Sequence, residues 1–526
     1  MNYADLFRVT LPETALEIAA LLVLVVDLGF LRKAALKTRV AVAALLGVVG
    51  CGVALWAVLQ PGIPGLWFEG TNELLLTTGG FGVVAQAGIL VLTALTLLLL
   101  VDSVFTRHIG EFVAVVLMAS SGGLIIATAQ DLLIVFVGLE LLSLGLYIMT
   151  AFAKTSGKSA ESAMKYYLFG GMSAAFLLFG FSYVYGLTGS TSLSSIGQGI
   201  AQGEFGTSPL FYVAWILIIA GLGFKVAAVP FHLWAPDTYE GAPAPAAAFI
   251  ASVSKVASFT LLINVCIYLL NVGSFEGQTD SVRHYLSEYY STGARFAGII
   301  LLVSAASMIV GNLAALAQSS VRRLLAYSAI SHAGYILLGV AVHGSNPGAG
   351  QPGDFILAFY RSQLVSAGAV LYYVLTYGLT TIGAFGVVSV VERATGSDRM
   401  DAFLGLHKRN PLLAAVLLVL FLSLAGIPPL VGFWAKFNLF AAVLSVGAGP
   451  VPFGLVALAV ALSAVSLYYY IQVLKRAYVM PAVDETSIKV HPVTMIVLVG
   501  IAAAVVVLGM FPALLQGWIS SFYPAL

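Results

Sequence analysis

Charge is what this sequence has least of. Only 9% of its 526 residues are Asp, Glu, Lys or Arg, against about 25% in soluble domains. So little polar surface cannot cover a water-soluble particle, and with 60% of residues hydrophobic the fitting solvent is lipid. Cysteine is nearly absent. Cys51 and Cys266 both lie in apolar stretches, without the spacing of a zinc or iron–sulfur site. Walker loops and Gly-rich dinucleotide fingerprints are missing too. The chain is therefore expected to hold no redox centre and to hydrolyse no nucleotide. A basic leader is also lacking. Glu13 and Glu17 open the first apolar block and no small-residue cleavage site follows, so the block is read as a retained helix.

What the chain does contain is apolar blocks of helical length. Backbone groups in lipid must pair internally, which allows a helical bundle or a closed barrel. Barrels alternate apolar and polar residues over short strands, and this chain does not. The expected fold is all-α and integral to the membrane. At about 20 residues per span, fourteen candidate helices fall near 11–31, 40–60, 82–106, 112–129, 131–151, 162–187, 208–235, 243–270, 293–316, 321–342, 360–391, 410–446, 451–474 and 492–518. Sixteen of the 24 Lys and Arg residues, from Arg32 to Lys489, fall in the odd-numbered loops. Arg8, Arg283, Arg295 and Arg361 fall on the opposite side. The positive-inside rule then puts the odd loops in the cytoplasm and both termini outside. Four lysines are left inside predicted helices: Lys165, Lys225, Lys255 and Lys436.

A lysine at mid-membrane costs about 2.5–3.5 kcal/mol on insertion scales, so these four and Glu140 together cost roughly 10 kcal/mol if they face lipid. They are expected to face the bundle interior. Glu140 lies about 14 Å along its helix from Asp131, and Lys255 about 18 Å from Pro243, both near the middle of a core about 30 Å thick. Lys165 has a plain alternative, an i,i+4 ion pair with Glu161 or snorkelling near a helix end. For Lys225, Lys255 and Lys436 the alternative is a structural pair with Glu140 or with a helix carbonyl. One carboxylate neutralises one lysine, and no comparable central acid serves the other two. A buried lysine set between desolvation and a carboxylate can load and release a proton, which suits a gated proton site.

Two lysine helices are interrupted. In GLGFKVAAVPFHLWAP, Pro230 lacks an amide hydrogen and frees the Val226 carbonyl beside Lys225. In SLAGIPPLVGFWAKF, Pro428 and Pro429 free the carbonyls of Leu424 and Ala425 ahead of Lys436. Gly/Pro-interrupted helices at matching places in two halves mark the ion site in transporters. The seventh and twelfth helices are five apart, an odd number, so helices 4–8 and 9–13 are expected to form two inverted repeats. The divisions are 1–106 for three leading helices, 107–275 and 290–480 for the repeats, and 490–526 for a last helix. His332 in SAISHAGY and His232 past the first break are relay candidates or satisfied core histidines, and Tyr327, Ser328 and Ser331 stand near His332 in sequence. Asp237 and Glu240 in APDTYEGAPAP read as loop acids at a cytoplasmic mouth.

The segments VFVGLELLSLGLYIM, ESAMKYYLFGGMSAAFLLFG, GLGFKVAAVPFHLWAPDTYEGAPAP, SVRRLLAYSAISHAGYILLG and LAGIPPLVGFWAKF resemble the antiporter-like subunits of complex I, NADH:quinone oxidoreductase, across essentially the whole chain. The charged positions are most similar to the N type. The M type carries glutamate where Lys436 stands, and the L type extends into a long lateral helix. The resemblance implies proton-transfer roles for Glu140, Lys165, Lys225, Lys255, His332 and Lys436. It implies protons entering from the cytoplasm, loading Lys255, passing to Lys436 and leaving through the second repeat, with Glu140 and Lys225 as the switching pair. It also implies K- and M-type neighbours in a hetero-oligomer of the bacterial plasma (inner) membrane. NAD, FMN, iron–sulfur clusters and quinone are expected in partner subunits and no cofactor in this chain. The competing readings are a subunit of a Mrp-type sodium/proton antiporter or membrane-bound hydrogenase, and a non-conducting scaffold.

Overall fold

The computed structural model describes residues 3–60, 66–67, 74–77, 79–103, 105–201, 208–269, 281–341, 352–446, 450–482 and 485–522. The side chains of Arg283, Arg295 and Arg361, three of the four basic residues assigned to the sparsely charged side, lie outside the described residues. The ends of the predicted spans 243–270 and 321–342 also lie outside them, as do residues 271–280 and 343–351 that follow, whereas the rest of each expected loop is helix, in Ser281–Leu316 and Pro352–Thr395. The structure is built from helices, with one short hairpin in which Leu66–Trp67 pairs antiparallel to Leu74–Leu76.

Eleven helices among the described residues are long and apolar enough to cross a membrane. Three predicted stretches take another form. The first runs as Leu11–Val25 and then rewinds into a π turn, Val26–Phe30. The seventh is split into Pro209–Lys225 and Trp234–Gly241. The twelfth is split into Pro411–Ala425 and Val431–Val446. The helices Ala244–Ile267, Val321–Ala341 and Val365–Thr395 are buried almost throughout, whereas Pro450–Tyr478 and Pro492–Met510 present open faces. Large apolar side chains cover the outside, Phe30 at 80% exposure and Leu302 and Ile496 at 71%. Such a surface is stable against lipid and not against water.

Two local structures recur at helix ends. Helix Gly157–Thr188 stops at Gly189, with φ of 68°, and the next residues return to the start of Leu132–Thr150. There the Leu132 amide donates to the Thr191 carbonyl and the Leu193 amide to the Gln130 carbonyl, both at 2.9 Å. Helix Pro352–Thr395 stops at Gly396, with φ of 73°, and returns to the start of Val321–Ala341. The Val321 amide donates to the Asp398 carbonyl and the Met400 amide to the Ser319 carbonyl, again at 2.9 Å. Both stops read Thr-Gly-Ser, and in each the threonine hydroxyl donates to the serine carbonyl at 3.1 Å. Glycine is required because the left-handed backbone places a Cβ against the following carbonyl. Each clip carries an acid: Asp131 accepts from the Thr191 hydroxyl and Asp398 from the Ser320 hydroxyl.

The clips sit at opposite ends of the bundle. Helix Gly157–Thr188 has 32 residues, about 48 Å at 1.5 Å each. It begins near Lys158, which shares a cavity with the second clip, and ends in the first.

Asp131 also caps its helix, accepting from the Leu133 amide at 2.8 Å and the Ile134 amide at 3.3 Å. Asp131→Ala is expected to cost about 1 kcal/mol and to lower the thermal midpoint of the assembled protein. Leu133→Ala, next to it at 58% exposure, is expected to change stability by no more than about 0.5 kcal/mol and so to leave that midpoint closer to the parent's. Equal midpoints for the two variants rule out a holding role for the clip.

Candidate functional site

Three lysines are buried, each held by an interrupted helix. Lys225 is the last residue of Pro209–Lys225. Its Nζ donates to Ser143 Oγ at 2.6 Å and stands 3.9 Å from Glu140 Oε1. Ser143 and Glu140 are neighbours on one face of Leu132–Thr150, three residues apart. The hydroxyl therefore takes the close contact and the carboxylate sits at the limit of an ion pair. Lys225 is 7% exposed, but Glu140 is 28% exposed and belongs to an open stripe with Leu133, Val137, Leu144 and Ile148.

The other two lysines occupy carbonyls that proline sets free. An α-helical carbonyl is normally taken by the amide four residues on. For Val226 that residue is Pro230 and for Ala425 it is Pro429, and neither has an N–H. The Val226 carbonyl accepts from Lys255 Nζ. The Ala425 carbonyl accepts from Lys436 Nζ at 2.9 Å, and Ser463 Oγ accepts from the same ammonium at 2.7 Å. Lys255 stands on Val253–Leu269 and is 2% exposed, and Lys436 stands on Val431–Val446 and is 6% exposed. Neither meets a carboxylate among the described residues. Gly426, with φ of 88°, closes Pro411–Ala425, and a Cβ there falls 3.0 Å from Lys436 Cδ and 3.2 Å from its Nζ.

His332 lies in a nest of tyrosines. Its Nδ1 is 2.8 Å from the Tyr373 hydroxyl, its ring centroid is 4.8 Å from that of Tyr377, and its Nε2 is buried without a partner. Lys436 Nζ lies 5.3 Å from the Tyr335 ring, whose edge meets His332 at 5.8 Å. Tyr335 is fixed by Asn312, which also accepts from Tyr469. Ser328 and Ser331 do not bond His332: the Ser328 hydroxyl pairs with Tyr470 and the Ser331 hydroxyl donates to the Ser328 carbonyl. The tyrosines were missed in the sequence, although the runs LYYVLTY and LYYYI were a visible polar signal in otherwise apolar helices. His232 Nδ1 is likewise buried and unpaired.

Lys165 departs from the other lysines. Its Nζ is 2.7 Å from both Glu161 Oε1 and Asp237 Oδ2, and its side chain is 42% exposed. It lies eight residues into its helix, about 12 Å, within reach of the surface. Asp237 and Glu240 are not in a loop but in the helix Trp234–Gly241. Pro236 is tolerated there because the first turn does not use its amide. Asp237 also accepts from Arg323 at 2.7 Å, and Glu240 from Arg323 at 3.0 Å and Lys158 at 3.2 Å. Burial raises the Asp237 carboxyl, but hydrogen bonds from Lys165 and Arg323 outweigh this and hold it below the usual carboxylate range. The network borders a cavity of about 570 Å³ lined also by Arg322, Glu392 and Asp398. Among the described residues no group of three or more His, Cys, Asp or Glu stands ready to hold a metal ion.

Fold and site together define a multi-pass membrane protein of the antiporter-like class. The chain belongs to the family described as NADH:quinone oxidoreductase/Mrp antiporter, TM, whose sequence model matches residues 129–277 and 282–465. It is 44% identical over 525 residues, 99% of both chains, to NADH-quinone oxidoreductase subunit N 2 of Acidobacterium capsulatum. It is 39% identical to subunit N 1 of Roseiflexus castenholzii, over 88% of this chain and 82% of the relative. A chain of respiratory complex I from Thermus thermophilus superposes with a TM-score of 0.73 at 31% identity, covering 96% of this chain and 98% of that one. A chain of the Mrp complex from Dietzia superposes at 0.76 with 19% identity, covering 97% and 96%, and shares the fold.

Two outcomes test this geometry. Gly426→Ala strains a left-handed residue by about 1–2 kcal/mol and displaces Lys436, so the assembled variant is expected to transport protons more slowly while Gly454→Ala, in open space, does not. For Asp237→Asn the pH dependence carries the sign. A depressed carboxyl stabilises the fold above its unfolded value of about 3.9 and loses that effect as pH falls through the lower folded value. The variant is expected to be less stable than the parent at neutral pH and to match it in strong acid. A stability gap that widens on acidification contradicts the network.

Proposed function

We propose that this chain is the N-type proton-translocating subunit of a bacterial NADH:quinone oxidoreductase, and that its buried lysines carry the protons. On this reading it spans the plasma (inner) membrane fourteen times, with both termini outside and residues 107–275 and 290–480 as inverted repeats. K- and M-type subunits flank it, and NAD, FMN, iron–sulfur clusters and quinone belong to partner subunits. Protons enter near the Lys165–Asp237–Arg323 mouth, load Lys255, pass by His332 and the tyrosines to Lys436, and leave through the second repeat.

The observation that carries the reading is the pair of freed carbonyls at Val226 and Ala425, each holding a buried lysine that has no carboxylate partner. A carboxylate locks an ammonium in place. A carbonyl or hydroxyl oxygen can accept from a neutral amine as well as from an ammonium, with a weaker bond, so these partners do not oppose loss of the proton as a carboxylate does. Lys225 differs, because Glu140 lies just out of close contact behind Ser143. A small shift toward or away from the carboxylate changes the local field, which suits a switch coupled to chemistry elsewhere. Glu140 lies on an open stripe at mid-span, and a carboxylate there needs protein or water against it, which fits a neighbouring subunit.

The test is proton transport by the assembled complex with NADH:quinone electron transfer followed in parallel. Lys225→Ala, Lys255→Ala, Lys436→Ala and Glu140→Gln are each expected to slow pumping by about tenfold or more, equivalent to roughly 1.4 kcal/mol. Full pumping by an assembled Lys225→Ala complex removes Lys225 from the path. Unchanged pumping in all the lysine variants makes the chain a scaffold.

A further inference from the structure

The first predicted span contains a buried acid that the lysine row does not use. Glu13 lies in Leu11–Val25 and is 7% exposed. Gln86 Nε2 donates to its Oε1 at 3.3 Å, while its Oε2 is buried with no protein partner. Beside it is a cavity of about 20 Å³ lined also by Gln60, Thr77, Gln86 and Thr128, enough for a water molecule, which needs about 10–15 Å³. Gln60 is exposed at the end of Leu36–Val58, so the cavity reaches the membrane face that carries the Leu66–Trp67 and Leu74–Leu76 hairpin.

No cation balances Glu13 among the described residues. Glu17, one turn on, has the same sign and accepts from Ser121 at 3.3 Å. Arg8 is exposed at the surface. On the packed helices, Arg39 is committed to Asp27 at 2.6 Å, about 21 Å along the helix from Glu13. Lys37 and Glu111 are at that same far end, and Phe81–Leu99 has no charged residue. An ionised carboxylate can only accept hydrogen bonds, whereas the acid also has an O–H to donate. An unpaired charge in this setting is costly, and binding a proton removes it.

We propose that Glu13 is a proton-binding site separate from the lysine row, a neutral carboxylic acid hydrogen-bonded to water in its cavity. Its proton exchanges with the aqueous phase on the hairpin side.

Infrared difference spectra of the whole complex test this at neutral pH. The expected result is a protonated-carboxyl C=O stretch that shifts in deuterium oxide, disappears in Glu13→Gln, returns at a shifted frequency in Glu13→Asp and ignores added sodium. Loss of a carboxylate band instead overturns the proposal, as does a C=O band that sodium abolishes, which would make the site a cation site. If Glu13→Gln fails to assemble, Glu13→Asp alone decides: an unshifted C=O region overturns the assignment.

Discussion

A lysine ammonium resting on a carbonyl that proline has freed is the interaction on which this architecture depends. Each component is unfavourable alone. A bare carbonyl inside a membrane costs a lost hydrogen bond, a buried lysine costs desolvation, and a proline inside a helix costs about 3 kcal/mol. Together at Val226 and Lys255, and again at Ala425 and Lys436, each satisfies another's deficit. The proline is not the whole of the break, since Ala227 with φ of 55° and Gly426 with φ of 88° also turn the chain out of the helix. Removing the lysine leaves the carbonyl unpaired. The break and the charge are therefore one feature.

The break must be local, and the clips explain how that is achieved. The Thr-Gly-Ser stops pin the Glu140 and His332 helices at opposite ends of the bundle by two backbone hydrogen bonds each. The elements that bear the acid and the histidine are thus fixed at one end, while the lysine helices beside them are interrupted midway. The interruptions fall where backbone polar groups have no water to fall back on. Lys225 ends one segment and Trp234–Gly241 begins the next. That second segment is tied by Asp237 to Lys165 on Gly157–Thr188 and to Arg323 on Val321–Ala341. Motion at the break therefore has a path to both helices through charged contacts at the surface.

Much of this was legible in the sequence, and the reason is cost. Charge is so scarce here that each mid-span lysine announces itself, and proline in a helix names the carbonyl it frees. Val226 and Ala425 could be picked out from Pro230 and Pro429 before any contact was known. What could not be read were partners set by tertiary packing. The choice of Ser143 over Glu140 as the close neighbour of Lys225, the tyrosines around His332 and the tie from Arg323 to Asp237 depend on helix rotation, which apolar blocks do not encode. The Thr-Gly-Ser repeat was present at 188–190 and 395–397, but three common residues mean little until both are seen to close the same backbone bridge. Glu13 reads in the sequence only as the acidic edge of a helix, because its burial and its bond from Gln86 come from packing against other helices.

The asymmetry among the lysines has a consequence for direction. Lys255 and Lys436 rest on neutral oxygens, which hold an ammonium less firmly than a carboxylate does. Of the three buried lysines, Lys225 is the one with a carboxylate nearby among the described residues, and that carboxylate is partly open to the outside of the chain. On the proposed function, a perturbation arriving through a neighbouring protein would meet Glu140 first, then Lys225, then the Val226 carbonyl on the following residue, and through it Lys255. The order is dictated by exposure and by covalent adjacency. Lys436 lies beyond, reached past the Tyr335 ring and His332, whose unpaired Nε2 leaves a position for a bridging donor or acceptor. On the proposed function, a signal received at one edge of the bundle would act on the first break before the second, and two copies of nearly the same motif would hold protons at different moments.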